Sequence, residues 1–211
     1  MIIEWHYGDN GYFNEFVKGH ILKNKYTSID IGASARYWSY PECKVIADAN
    51  PVEHKDITYF KLNIEDASNW SIIYDYVKVN GKFDYSICSH TMEDVFNPIE
   101  LANHLSNISK QGYVAIPSKF NEFNKLYGHK YRGNGHHKQF FDIINEKLIV
   151  FPKFNWIETD DRSDRILDNY KGSDLVFFWK DSIPIEIFGN GIPFMSDDSL
   201  INNYYSQLGI N

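Results

Sequence analysis

Ser28-Ile29-Asp30-Ile31-Gly32-Ala33-Ser34 sets an acid inside a short apolar run and a glycine two residues on, where a strand has to turn. Eighteen residues after Asp30, a second apolar run, Val45-Ile46-Ala47, ends in Asp48. A buried strand closed by a glycine turn, then a second strand closed by an acid, is the skeleton of a nucleoside-binding α/β site. The glycine lets backbone approach a ligand, and the second acid accepts hydrogen bonds from ribose hydroxyls. Many α/β proteins share an Asp-x-Gly, so its meaning depends on what surrounds it.

Upstream, residues 13–23 carry apolar side chains at Phe13, Phe16, Val17, Ile21 and Leu22, the spacing of an amphipathic helix. Strands are expected over 27–33, 44–49, 57–63, 83–89 and 113–116, the last closed by Pro117. Between them fall a helix over 70–79, stopped by Asn80-Gly81, and one over 98–109, with Asn97 as N-cap and Pro98 in the first position. Strands alternating with helices imply parallel pairing and right-handed crossovers, hence an α/β, doubly wound sheet. After Ser118 the character changes. Residues 119–139 are polar, aromatic and glycine-dotted without a clean period, the look of a long loop over the sheet edge that acts as a lid or binding element. Late strands are expected over 147–151, 175–180 and 185–188, in antiparallel pairing.

The 211 residues suit one domain with a sizeable core. A formal charge of −7 argues against a general phosphate-backbone binder. The basic run from Lys18 to Lys25 reads as a solvated helix face. No window reaches the apolar length of a membrane span, and Met1-Ile2-Ile3-Glu4-Trp5-His6 does not look like a signal peptide. Cys43 and Cys88, the two cysteines, sit beside buried strands, which speaks for free thiols and a cytoplasmic setting. Oligomeric state is left open.

Placed side by side, the carboxyl ends of the expected strands carry Asp30/Gly32, Asp48, Asn63, Ser89/His90 and Pro117/Ser118. In an open parallel sheet those ends form the ligand crevice. The order Ile29-Asp30-Ile31-Gly32, Asp48, Asn63-Ile64-Glu65-Asp66, and then Phe83-Asp84-Tyr85-Ser86-Ile87-Cys88-Ser89-His90-Thr91-Met92-Glu93-Asp94, resembles the class I S-adenosylmethionine-dependent methyltransferases. Gly112-Tyr113-Val114-Ala115-Ile116-Pro117-Ser118 is similar to their fifth strand. The resemblance covers roughly residues 13–118. It implies a Rossmann-like sandwich: a central, mostly parallel sheet, helices on both faces, and an antiparallel C-terminal strand region. Residues 13–118 would be the cofactor-binding core and 119–211 the substrate side.

The resemblance also implies roles. Asp30 and Gly32 would shape the pocket for the methionine part of S-adenosylmethionine, and Asp48 would bind the ribose. Asn63 stands where the family often has an acid near the adenine amine, and Ile64 would lie beside the ring. Ser89 and His90 would line the pocket next to the sulfonium. The family's glycine loop reads D-x-G-x-G-x-G, whereas Ser34 and Arg36 occupy the later glycine positions, and Pro41 leaves little room for a full helix before the second strand. Arg36 would pair with the cofactor carboxylate or stand exposed in the loop.

Three histidines cluster in the suspected lid, at 129, 136 and 137. His90, His136 and His137 are candidate general bases, since imidazole titrates near neutrality. A metal site completed by Asp142 or Glu93 is a second reading, against which stands the absence of standard spacing and the difficulty of adjacent histidines sharing one ion. A polar loop contacting only solvent or backbone is the third. Glu93 and Asp94 are expected to open a helix or to touch substrate. Tyr37, Trp38 and Tyr40 are pocket walls or core.

The expected activity is therefore methyl transfer from S-adenosylmethionine to oxygen of a small molecule, nucleotide-linked sugar or surface-glycan component. A catalytically degenerate binding module with the same fold is the alternative, favoured by Ser34 and Arg36. A NAD-dependent oxidoreductase shares the strand–glycine–acid layout but lacks a G-x-G-x-x-G run.

Overall fold

The computed structural model describes residues 1–33, 38–50, 54–125, 131–189 and 197–209. Seven strands form one sheet in the order β1-β9-β6-β5-β2-β3-β4. These are β1 (Ile2–Gly8), β2 (Ser28–Ile31), β3 (Val45–Asp48), β4 (Thr58–Lys61), β5 (Tyr85–Ser89), β6 (Gln111–Pro117) and β9 (Asp174–Lys180). The five from β4 to β6 pair in parallel. β9 runs antiparallel between β6 and β1, with Asp174 opposite both Pro117 and Gly8. The amino end of β9 and the carboxyl end of β1 thus lie on the edge where the parallel strands finish.

Both faces of this sheet are covered. Helices α2 (Ser71–Asn80) and α3 (Pro98–Ile108) bury Ile73, Leu101, Ala102 and Leu105 against Ile29, Ile31, Val114 and Phe177. On the other face α1 (Asn10–Asn24) buries Val17 and Ile21 against Tyr85, Ile87, Tyr113 and Val176. Successive strand residues face opposite sides, so Ile29 and Ile31 meet one helix layer while neighbouring strands supply the other. The Rossmann-like fold class read from the sequence is the one observed. Helix α1 starts earlier than its apolar spacing suggests, because Asp9 caps it through the Gly11 N–H at 2.6 Å. Phe16 and Leu22 remain exposed, so the apolar face is narrower than expected.

A second sheet, β10-β8-β7, is built from β7 (Gln139–Ile144), β8 (Lys147–Pro152) and β10 (Ile185–Ile187). Its core is aromatic: Phe120, Phe123, Phe140, Phe151, Phe188, Tyr204 and Tyr205 pack together, the last two from α6 (Asp197–Gln207), which follows the short α5 (Arg162–Arg165) in the chain. Here the structure corrects several expectations. β10 pairs with β8 in parallel, since the chain passes around β9 before returning. The stretch 119–139 opens with a helix, α4 (Lys119–Phe123), capped by Ser118 through the Asn121 N–H at 3.2 Å. Strands β1 and β7 and helix α6 have no counterpart in the sequence reading. β1 is an edge strand with Ile3 and Trp5 exposed, so it lacks a clean period-2 alternation. Phe83 forms only an isolated bridge, to Ser109, and the ladder of β5 begins at Tyr85. Cys43 and Cys88 are buried free thiols. No helix among the described residues is long and apolar enough to cross a membrane.

Candidate functional site

Parallel pairing brings Asp30, Asp48 and Ser89 to one edge: Asp30 lies opposite Ile46 and Ile87, and Ser89 opposite Ala115. Gly32 continues the ladder through its N–H to the Ala47 carbonyl at 2.8 Å, then turns with φ +75°. A Cβ at this position would sit 2.2 Å from Thr91 Oγ1. Only glycine allows the β2 turn to pass so close to the turn after β5.

Beneath that turn, Asp30 is 1% exposed. Its Oδ2 accepts a hydrogen bond from Ser39 Oγ at 2.6 Å, whereas Oδ1 is buried with no partner among the described residues. Burial pushes its pKa up to about 7, against the Ser39 bond and with help from the charge of Asp48. Asp48 accepts from the Asn50 N–H at 2.8 Å and is half-buried. Asn63 is exposed just beyond β4 and accepts from the Glu65 N–H at 3.2 Å; Ile64 lines a cavity of about 130 Å3 with Val95, Phe96 and Leu101. Ser34, Arg36, Tyr37 and His129 lie outside the described residues. Trp38 packs on the α1 face of the sheet, its ring 6.5 Å from that of Tyr113, and Tyr40 meets His54 at 4.7 Å.

Ser89 Oγ accepts from Asn10 Nδ2 at 3.0 Å, and Asn10 Oδ1 accepts from the Tyr113 hydroxyl at 2.5 Å. The Asn10 N–H donates to Asp174 Oδ2 at 3.1 Å. Asn10, Tyr113 and Asp174 belong to this edge, yet no local motif marks them. Asn10 and Asp174 arrive because β9 lies beside β6 and β1 beyond β9, while Tyr113 comes from β6 itself, opposite Ile87; long-range pairing leaves no short-range signature.

His90 follows Ser89 with φ 51°, a left-handed conformation uncommon for a side chain with a Cβ. Its Nδ1 stands 3.5 Å from Glu93 Oε1 and its Nε2 3.3 Å from Asp174 Oδ1. Burial disfavours the imidazolium, but the Glu93 hydrogen bond and the charges of Glu93, Asp174 and Asp94 outweigh it and raise the His90 pKa above its ordinary value. Glu93 is 2% exposed and keeps Oε2 buried without a partner among the described residues. Contrary to expectation, Glu93 and Asp94 do not open a helix. They sit in a turn, and α3 starts only at Pro98, where Asn97 accepts from the Glu100 N–H at 3.1 Å. That turn is clamped from β7: Gln139 Nε2 donates to the carbonyls of Met92 at 3.2 Å and Val95 at 2.6 Å, and the Lys138 N–H donates to that of Glu93 at 3.0 Å.

The same clamp carries His136 and His137 to the crevice. His136 Nε2 lies 3.8 Å from Asp94 Oδ1, and Asp94 also acts on His90. All three candidate histidines in the described residues therefore surround one turn. The loop bearing two of them is anchored. Arg132, 5% exposed, donates to the carbonyls of Phe123 at 3.0 Å and Ile157 at 3.2 Å and pairs with Asp164 at 2.7 Å. Asp142, considered above beside the histidines, instead pairs with Lys119 Nζ at 2.6 Å and accepts from the Tyr7 hydroxyl. Next to His137 opens a cavity of about 560 Å3, lined by Tyr131, Lys138, Lys153, Phe154, Asn155 and Glu158 among others.

Neither a protein-family model nor a curated protein sequence matches the chain. Solved structures do resemble it. The methyltransferase domain of bacterial CtHen1-C aligns over 81% of this chain and 97% of that one, at 11% identity and a TM-score of 0.46. An O-methyltransferase family protein from Burkholderia thailandensis aligns over 81% and 57%, at 12% identity and TM-score 0.44. The plantazolicin methyltransferase BpumL, in complex with a monoazolic desmethylPZN analog and SAH, aligns over 80% and 82%, at 12% identity and TM-score 0.43.

Proposed function

We propose that the chain is an S-adenosylmethionine-dependent methyltransferase acting on oxygen of a small polyhydroxylated acceptor, such as a nucleotide-linked sugar or surface-glycan component. The observation that carries this reading is Asp30. A buried carboxyl with one oxygen unpartnered among the described residues, set under a glycine turn that admits no side chain, is an incomplete site. A cationic amino group completes it by supplying the missing donor and favouring the ionised form. S-adenosylmethionine carries such an ammonium group; the part of NAD that would meet the first strand end does not. When bound, it supplies a methyl group activated by a sulfonium.

The chain's own residues then have four tasks. Asp30 and Gly32 receive the amino-acid end, and Asp48, ending β3, accepts from the ribose hydroxyls. Asn63 and Ile64 flank the base, Ser34 and Arg36 complete the loop, and Ser89 borders the reacting centre. Positioning of donor and acceptor accounts for up to about 7–11 kcal/mol of barrier lowering in such reactions. His90 takes the acceptor's proton, a contribution of about 10²–10⁴ in rate. Glu93 and Asp174 hold its ring from both nitrogens and raise its pKa, which makes it a stronger base. The cavity beside His137 has the size of a small-ligand site, and its mixture of aromatic and polar walls suits a sugar better than an apolar ring. With a formal charge of −7, a nucleic-acid acceptor is disfavoured.

Calorimetry with S-adenosylhomocysteine and with NAD tests the reading. Binding of the first that is lost in Asp48→Ala and Asp30→Asn supports it. Binding of NAD alone points to an oxidoreductase, and binding of neither to a module that keeps the fold without the reaction.

A further inference from the structure

We propose that Asp94, His136 and His137 form a binding site for a divalent first-row transition-metal ion such as Zn2+ or Co2+. Their ligand atoms all lie within 4.8 Å of one another. Around a tetrahedral ion with bonds near 2.1 Å, ligand atoms stand about 3.4 Å apart, so the group closes by a small inward movement. His136 can provide it, because its side chain is 68% exposed.

Adjacent histidines in an extended chain point to opposite sides. Here the chain turns, the His137 N–H bonding to the Asn134 carbonyl at 3.2 Å, and both rings project together with centroids 4.4 Å apart. The spacing objection raised from the sequence therefore fails for this pair.

His137 is set as a ligand in a further respect. Its Nδ1 lies 2.5 Å from Glu122 Oε1, and Lys153 Nζ pairs with Glu122 Oε2 at 2.8 Å. A carboxylate only accepts, so Nδ1 carries the proton and Nε2 presents its lone pair. Asn134 Nδ2, 3.4 Å from Nε2, is a donor on that side and agrees with this tautomer. A histidine fixed by a carboxylate through its other nitrogen is the arrangement that orients metal ligands. Gly133, with φ +55°, makes the approach possible: a Cβ there would lie 2.6 Å from Glu122 Oε2.

Asp94 supplies the independent observation. Although its side chain is 44% exposed, its Oδ1 is shielded from solvent and has no hydrogen-bond partner among the described residues. The nearby Lys138 ammonium does not meet that need, since it bonds to the Asp94 main-chain carbonyl and to Glu65 Oε1 at 3.2 Å. Two imidazoles and a carboxylate form a borderline donor set that suits Zn2+, Co2+ or Fe2+ better than Mg2+ or Ca2+. With three protein ligands the ion would keep a position open, and His137 itself lines the large cavity.

Metal binding at this site is tested without cofactor or acceptor. Tag-free full chain is titrated with Co2+, followed by the visible d–d bands, and with Zn2+ by calorimetry. We expect one saturable site. His136→Ala and Asp94→Asn, both at solvent-accessible side chains, should each weaken it at least about tenfold; Glu122→Gln should weaken it about 10–100-fold through the ring orientation of His137. Absence of saturable binding of either ion, or binding unchanged in both His136→Ala and Asp94→Asn with fold confirmed by circular dichroism, overturns the proposal.

Discussion

On the β2–β3–β5 side of the crevice, Asp30, Asp48 and Ser89 stand together because three parallel strands end together. On the opposite side, Asp94, Glu122, His136 and His137 share no repeating unit. They meet because Gln139 and Lys138 tie a turn to β7, Arg132 ties a loop to α4, and an aromatic cluster holds α4, β7, β8 and α6 as one body. The first side is delivered by topology and the second by packing. A site delivered by topology survives local repacking, whereas one delivered by packing depends on it.

The sharpest way to break this contrast is at the residue between the two sides. His90→Gly suits the left-handed backbone there, so the fold stays intact while single-turnover transfer falls about 10²–10⁴-fold. Retained transfer would remove His90 as the base. Next, Phe151→Ala hollows the aromatic cluster and should cost about 3–5 kcal/mol of stability in denaturant titration. Under native conditions it should perturb the His137 environment while leaving S-adenosylhomocysteine affinity in place. Equal damage to both would mean that the two sides are not separately built.

Asp30→Asn probes the topological side alone. In the folded chain Asp30 binds its proton up to about pH 7, against an ordinary carboxylate value of 3.8. Its contribution to stability is complete below the unfolded value and is lost as pH rises through 7. The Asn variant, neutral throughout, should be more stable than wild type above pH 7 by on the order of 2–4 kcal/mol, with the gap closing toward pH 4. Thermal melts across that range check the sign, and an unchanged gap would show that Asp30 is not a buried charge. The smallest effect is expected for Glu93→Gln. Loss of the acid lowers the His90 pKa, so the acid limb of kcat/KM moves to lower pH; an unmoved limb would assign that titration elsewhere.

Much of the topological side was legible in the chain. Asp30 sits inside an apolar run, Gly32, Asp48 and Ser89 each close one, and the turn signals Asn80-Gly81 and Asn97-Pro98 bound the helices that make the pairing parallel. Asn10, Asp174 and Tyr113 were not legible. Asn10 and Asp174 reach Ser89 and His90 only because β1 and β9, about 170 residues apart, pair with each other, and no composition or period in either strand names its partner; Tyr113, on β6, joins them through the Asn10 side chain.

The histidines show the same division. That His90, His136 and His137 are imidazoles of a reactive type is a property of the sequence, and so is the alternation that produces the sheet. Which nitrogen of His137 is open, which acid stands beside His136, and that Asp142 faces Lys119 instead were decided by tertiary structure alone. Periodic burial is encoded locally, in the spacing of apolar side chains along a strand or helix. The partners of a buried polar group are chosen where distant segments meet, and that choice follows from which contacts satisfy each donor and acceptor once water is gone.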